Sequence, residues 1–234
     1  MTRFQDHLAF LFDGTENAQG ALDRARKILS SFRARVPNLN GDLTERDSIL
    51  IAYGDQVQSP NEKPLQTLGA FCRRHLTDLV NGIHILPFYP WTSDDGFSVT
   101  DYRKVDSALG DWNDISSLQN DFRLMFDAVI NHISSESDWF QGFLRDDPRY
   151  RDYFIVVEGS PNLARVVRPR VLPLLTTFAT AAGEKRVWTT FSADQVDLNF
   201  KNPEVLLDIL DVLLMKLTTK VWLQKFFVCA LPIL

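Results

Sequence analysis

The chain is poor in the residues that announce several classes of protein. It has two cysteines, Cys72 and Cys229, in 234 residues. They make neither a metal-ligand spacing nor a disulfide framework, and so sparse a usage suits a reducing cytoplasm. No apolar run approaches the ~20 residues that a membrane-spanning helix needs. The opening MTRFQDHLAFLFDGTENAQG is apolar only from Leu8 to Phe12 before acids follow, unlike a secretory leader, and the apolar FFVCALPIL has nine residues. Repeats and low-complexity segments are absent. Positive charge is not in excess: 25 Lys and Arg face 30 Asp and Glu, a formal net charge of -5, which argues against a nucleic-acid surface. The basic residues Arg24, Arg26, Lys27, Arg33 and Arg35 are interleaved with apolar ones, as on a solvated helix face. What is present is 45% hydrophobic, enough for a substantial core.

Helical spacing fills residues 1 to about 36. In ALDRARKILSSFRARV, Leu22, Ala25, Ile28, Leu29, Phe32 and Val36 form one apolar stripe. VPNLNGDLTERD reads as a linker. The short apolar runs SILIAY, GIHILPF and RLMFDAVI then predict three strands, with PLQTLGAFCRRHLTDLV and DWNDISSLQNDF as helices between them. Strands that are apolar throughout belong to a parallel sheet covered on both faces, either doubly wound or the start of a (β/α)8 barrel. No Gly-rich phosphate loop follows the first two runs, so a nucleotide-binding doubly wound sheet lacks support. From about Ile133 the alternation breaks for more than fifty residues, too many for an ordinary loop. A helix at SDWFQGFLRD, a strand-like YFIVVEG and an irregular RPRVLPLLTTF read as an inserted small domain. VWTTF then resembles a strand, and NPEVLLDILDVLLMKL an amphipathic helix with Asn202 as N-cap and Pro203 at its first position.

Polar residues gather where the strands end. Asp94, Asp95, Phe97, Asp101 and Tyr102 follow the second strand, and Asn131 and His132 the third. In a barrel these ends form the active face. There a carboxylate and an imidazole can hold sugar hydroxyls while an aromatic ring packs against the pyranose. A plain turn at SDDG and a packed histidine are the bland readings; their occurrence on two successive strands favours a site.

DAVINH (127–132) resembles the Asp-x-x-x-Asn-His region at the end of the third barrel strand of the α-amylase superfamily, glycoside hydrolase family 13. ADQVDLNF (193–200) resembles that superfamily's Gln-x-Asp-Leu-Asn motif. GIHILPFYPWTSDDGFSVTDYRKVDSALGDWNDI and RPRVLPLLTTF are similar to the sucrose phosphorylase branch, closest to enzymes acting on glucosylglycerol, glucosylglycerate or sucrose 6-phosphate. The match runs from about Leu8 to Leu214. It implies an α/β fold, the N-terminal part of a (β/α)8 TIM barrel with a small domain inserted after the third strand and a helical extension in front. The segments are 1–46 (extension and linker), 47–132 (first barrel segment), 133–187 (insert), 188–214 (return to the barrel and the following helix) and 215–234 (a divergent tail). It also implies a retaining transfer of a glucosyl group from an α-glucoside such as sucrose to inorganic phosphate, giving glucose 1-phosphate. No cofactor, metal, nucleic acid or membrane partner is implied. Carried over, Asp94 and His132 bind glucosyl hydroxyls and Phe97 forms the apolar platform. Asp127 and Asn131 hold the strand end, and Asp197 organises the end of the insert.

The resemblance further predicts a Gly-containing turn after the last helix, then a strand ending in Arg-Leu-Asp-Ala that carries the nucleophile, with the acid/base Glu beyond it. The sequence reads MKLTTKVWLQKFFVCALPIL, with no Asp or Glu after Asp211 and no Gly after Gly183. A retaining site needs two carboxyl groups about 5–5.5 Å apart, and the adjacent Asp94 and Asp95 do not supply them. The expectation is therefore a truncated, inactive chain. Its alternatives are a non-catalytic carbohydrate-binding or partner-dependent fragment and an amylase-type hydrolase. Three strands also leave a barrel open, with unpaired edges. Poor solubility or dependence on a partner is expected; calorimetry of the purified chain that gave a cooperative, monomeric melt would contradict this.

Overall fold

The structure is a computed structural model that describes residues 2–12, 18–35, 44–164, 166, 171, 173–218 and 221–226, with 2–5, 9, 18 and 221–226 by backbone alone. Residues 36–43 of the expected linker, and 168–170 and 172 of RPRVLPLLTTF, lie outside the described residues. The chain opens with helices α1 (Thr2–Phe12) and α2 (Ala18–Phe32). Leu8, Phe12, Ala21 and Ala25 pack against Leu207 of a later helix, and Arg24 clasps Glu204 through both terminal guanidinium nitrogens. The extension is thus seated on the body of the protein.

Strand β1 (Ile49–Ala52), helix α3 (Pro64–His75), strand β2 (Gly82–Ile85), helix α4 (Trp112–Leu118) and strand β3 (Arg123–Ala128) follow in alternation. Pro64 starts α3, where its missing N–H costs nothing, and Leu65, Leu68 and Cys72 bury one face. Asp111 caps α4 in a reciprocal box: its carboxylate accepts from the Asp114 N–H at 3.1 Å, and Asp114 accepts from the Asp111 N–H at 2.9 Å. All four residues of β2 and all of β3 after Arg123 are buried, so both faces of these strands are covered.

After β3 the chain forms β4 (His132–Ser134) and α5 (Asp138–Leu144), the latter capped by the Ser137 hydroxyl accepting from the Phe140 N–H. Then come a hairpin of β5 (Leu175–Thr180) and β6 (Gly183–Trp188), and the short β7 (Gln195–Asp197), which returns antiparallel to β4. Phe140 centres the small core here, with the Phe154 and Phe178 rings at 4.9 and 4.7 Å. Two expected strands differ. YFIVVEG makes only single bridges, Phe154 to Leu198 and Val156 to Val187. VWTTF leaves the sheet after Trp188, because the Thr190 N–H and hydroxyl turn toward the Asp197 carboxylate.

Helix α6 (Pro203–Leu217) starts as expected, with the Asn202 side chain accepting from the Glu204 N–H at 3.0 Å. Strand β8 (Val221–Phe226) then pairs in parallel with β3. Residues 221–226 of the divergent tail 215–234 therefore belong to the sheet; 219–220 and 227–234 lie outside the described residues. Among the described residues the sheet has four strands in the order β1-β2-β3-β8, not three. Ladder hydrogen bonds are made by backbone, so an extended segment delivered beside β3 by α6 joins it without the family's residues or a Gly turn. Four parallel strands with helical crossovers are part of a (β/α)8 barrel, with a small domain inserted after β3. Among the described residues, no helix is long and apolar enough to cross a membrane.

The buried stripe of α6 is Val205, Ile209, Val212 and Lys216. The Lys216 ammonium lies 4.0 Å from the Tyr89 ring centroid. Burial pulls its pKa from 10.5 down to about 7, with the Asp127 charge opposing. Between about pH 7 and 10.5 the folded chain has released a proton that the unfolded chain keeps, so stability rises with pH across that window. Urea unfolding midpoints measured from pH 7 to 9.5 should climb in the native sequence and stay flatter in Lys216→Met.

Candidate functional site

The loop after β2 is closed by its own backbone. The Thr92 N–H reaches the Ser98 carbonyl at 3.1 Å, and the Ser98 N–H reaches the Ser93 carbonyl at 3.2 Å. At its tip Asp94, Asp95 and Gly96 all have left-handed backbone, with φ of 59°, 50° and 98°. That conformation costs a non-Gly residue about 1–2 kcal/mol, so two successive aspartates hold it only under external constraint. Gly96 is required by contact as well: a Cβ there would lie 2.7 Å from the Pro87 carbonyl oxygen. The tip aims the half-buried Asp94 into a cavity of about 320 Å³.

The opposite wall comes from the end of β3. Asp127 is buried beneath it, its Oδ2 3.0 Å from His84 Nε2. Asn131 donates from Nδ2 to Asp197 Oδ1 at 2.6 Å, and the Thr190 N–H and hydroxyl donate to Asp197 Oδ2 at 2.8 and 2.6 Å. His132 donates from Nε2 to the Phe97 carbonyl at 3.0 Å, and its ring lies 4.9 Å from that of Phe191. Gln195 joins the two walls: its Nε2 donates to Asp94 Oδ2 at 2.9 Å and lies 3.3 Å from His132 Nε2.

Beside Gln195, Asp194 holds several loops at once. Its Oδ2 accepts from the hydroxyls of Thr92, Ser93 and Ser98, and its Oδ1 from those of Ser134 and Ser135 and from the Ser135 N–H. Burial raises its pKa, but the hydrogen bonds from Ser93, Ser98, Thr92 and Ser135 outweigh that and hold it to about 2. At Asp197 burial wins: it lifts the pKa to about 7 against the donors from Thr190 and Asn131.

Asp94, Phe97, Asn131 and His132 therefore line one cavity, while Asp127 and Asp197 lie buried behind it. Tyr53, Phe191 and Gln195 line it too and were not singled out from sequence. Gln195 stands within ADQVDLNF, where nothing local marks its role, and Tyr53 and Phe191 carry no local signal. A second cavity of about 450 Å³ adjoins, sharing Tyr53 and Asp95 and adding Asp55 and Asp106. Among the described residues the carboxylates lining the first cavity are Asp94 and Asp95, neighbours on one turn. Such a cavity can grip hydroxyls; it does not flank a glycosidic bond from two sides.

A barrel segment with a polar cavity at its strand ends defines the class. The chain belongs to the α-amylase family, whose catalytic domain matches residues 75–226. It is 53% identical over 209 residues to a glucosylglycerate phosphorylase of Allomeiothermus silvanus, covering 89% of this chain and 37% of that protein. To a sucrose phosphorylase of Streptococcus mutans it is 33% identical over 175 residues, covering 70% and 35%. The crystal structure of sucrose 6F-phosphate phosphorylase from Thermoanaerobacter thermosaccharolyticum matches with a TM-score of 0.68 at 27% identity, over 80% of this chain and 40% of that one. The chain spans a little over a third of the length of the relatives it matches.

The two aspartates titrate in opposite senses. With the Asp197 pKa raised to about 7, the folded chain keeps a proton between about pH 4 and 7 that the unfolded chain has lost, so stability falls as pH rises through that window. With Asp194 held to about 2, its contribution is present above 3.8 and is lost as pH falls toward 2. In urea titrations Asp197→Asn, whose amide Asn131 can meet by turning over its own, should remove the decline between pH 5 and 7 and leave the acid limb in place.

Proposed function

We propose that these residues form the glucosyl-holding part of a retaining glycoside phosphorylase site, of the type that acts on glucosylglycerate. The observation that carries the reading is the cluster of Asp94 and His132, which follow the C-terminal ends of β2 and β3, with Gln195 of β7 between them, in a chain of the α-amylase family. In this reading Asp94 and His132 bind sugar hydroxyls, Phe97 backs the ring, and Asp127, Asn131 and Asp197 hold the strand ends. The choice among glucosides rests on the 53% identity to a glucosylglycerate phosphorylase against 33% to a sucrose phosphorylase. The adjoining cavity, acidic with Asp55, Asp95 and Asp106, repels an anionic glycerate, so the aglycone leaves the glucosyl cavity on another side.

In the complete reaction a carboxylate attacks the anomeric carbon as the glycosidic C–O bond breaks, and the acid/base carboxyl gives its proton to the departing oxygen and recovers one from phosphate in the second step. A phosphate oxygen then displaces the carboxylate to give α-glucose 1-phosphate. Strand β8, VWLQKF, contains no carboxylate, and neither nucleophile nor acid/base belongs to the cavity described. The proposal is therefore binding without turnover by residues 1–234. Removing the nucleophile from such a unit abolishes most of the rate enhancement.

Calorimetric titration of the chain with α-glucose 1-phosphate and with glucosylglycerate tests this. Saturable binding is expected, weakened about 10- to 100-fold in Asp94→Ala, the worth of a charge-assisted hydrogen bond. No glucose 1-phosphate should form from glucosylglycerate and phosphate. Absence of binding overturns the site; turnover overturns the inactivity.

A further inference from the structure

Asp194 lies outside the cavity lining, yet its carboxylate reaches residues on both sides of the site. On one side Oδ2 accepts from Thr92 Oγ1 at 2.6 Å, Ser93 Oγ at 2.5 Å and Ser98 Oγ at 2.7 Å, the residues that flank the Asp94–Phe97 tip. On the other side Oδ1 accepts from Ser134 Oγ at 3.1 Å, Ser135 Oγ at 2.8 Å and the Ser135 N–H at 3.2 Å, at the end of β4 beyond His132. Ser93 precedes the left-handed tip but does not cap it; its hydroxyl goes to Asp194 instead. The next residue, Gln195, holds Asp94 and lies against His132.

We propose that Asp194 is a positioning residue for the glucosyl cavity: its carboxylate ties the Thr92–Ser98 loop to the end of β4 and so fixes the left-handed tip that presents Asp94. The inference rests on the reading of the cavity as a glucosyl site. The donor arithmetic requires a carboxylate. An amide nitrogen at the Oδ1 position would meet the fixed Ser135 N–H, donor against donor. At the Oδ2 position its two hydrogens would face three hydroxyls, all of which would have to reverse. Asparagine therefore cannot restore the set in either orientation, although it matches the shape.

Two measurements on Asp194→Asn separate this inference from the reading beneath it. Hydrogen exchange followed by mass spectrometry needs no ligand: peptides covering 91–99 and 132–136 should exchange at least about tenfold faster, the loss of one charge-assisted bond. Peptides covering β2 and β3 should be unchanged. Affinity for α-glucose 1-phosphate should fall by a similar factor, and Asp194→Glu, which keeps the charge on a longer arm, should recover part of both. If exchange rises through β2 and β3 as well, the substitution has disturbed the fold, and Ser93→Ala and Ser98→Ala, each removing one hydroxyl, take its place with the same confined increase expected. Native exchange in 91–99 in Asp194→Asn, or in both serine variants, overturns the proposal. Native-sequence protein that binds no sugar overturns the glucosyl reading alone, because the exchange result still decides whether Asp194 holds the loop.

Discussion

The 2.6 Å hydrogen bond from Asn131 to Asp197 is the constraint on which the site depends. It closes the junction where the chain leaves β3 and β7 returns to it, and it sets the register of the β4–β7 pair, with His132 opposite Asp197 and Ser134 opposite Gln195. Alternation along two such short strands puts His132, Ser134, Gln195 and Asp197 on one face and Ile133 and Val196 on the other, in the core. His132 and Gln195 are then diagonal neighbours on one face, the arrangement that brings their nitrogens to 3.3 Å. A slip of one residue would send both faces to the wrong side. The registry is stabilised by burying a carboxylate, which is costly unless donors surround it; Thr190 supplies two and Asn131 the third.

The three aspartates around this junction show how environment divides labour among identical side chains. Asp197 is enclosed, and burial outweighs its donors, so it is poised near neutrality. Asp194 is less enclosed and meets five hydroxyls and an N–H, so it stays ionised far into acid. Asp94 is half-buried at the tip of a turn and is the one that faces the cavity. The first two act on the framework, and the third lines the cavity. A charge-assisted hydrogen bond contributes about 1.5–3 kcal/mol, comparable to the cost of one or two left-handed aspartates. The donors gathered by Asp194 are thus of the right size to offset the strain at Asp94 and Asp95.

Much of this was legible because it is local or periodic. The apolar runs of β2 and β3, the Asn202–Pro203 start of α6 and the Asp-x-x-x-Asn-His ending of β3 are each contained in a few neighbouring residues. Asp194 was not legible, because its partners sit at 92, 93, 98, 134 and 135 and are ordinary serines and threonines, as frequent in solvated loops as in a buried cluster. Gln195 was visible as a motif letter, but its contacts with Asp94 and His132 arise only when β7 pairs with β4. Tyr53 enters the cavity from the loop after β1, a placement that depends on the whole sheet. Lys216 was hidden differently: it occupies the fourth position of the stripe Val205, Ile209, Val212, where helical period predicts burial and charge predicts exposure. Period prevails, at the expense of its proton.

Strand β8 separates what a barrel needs from what its chemistry needs. Parallel pairing is satisfied by backbone N–H and C=O groups, and α6, crossing back over the sheet, delivers the next segment to the open edge of β3 whatever its side chains are. A sequence without a single carboxylate therefore takes its place in the sheet. The chemistry at such a barrel's mouth is far less tolerant, since each strand end contributes only one or two side chains and a retaining reaction draws its two carboxyl groups from different strands. At the other edge, β1 leaves Ile51 60% exposed, an apolar residue on a strand with one neighbour among the described residues, which is where such a sheet takes on further pairing. The architecture thus accommodates a fourth strand that carries no carboxylate, while Asn131, Asp194 and Asp197 bind the groups that line the cavity into the framework around β3 and β4.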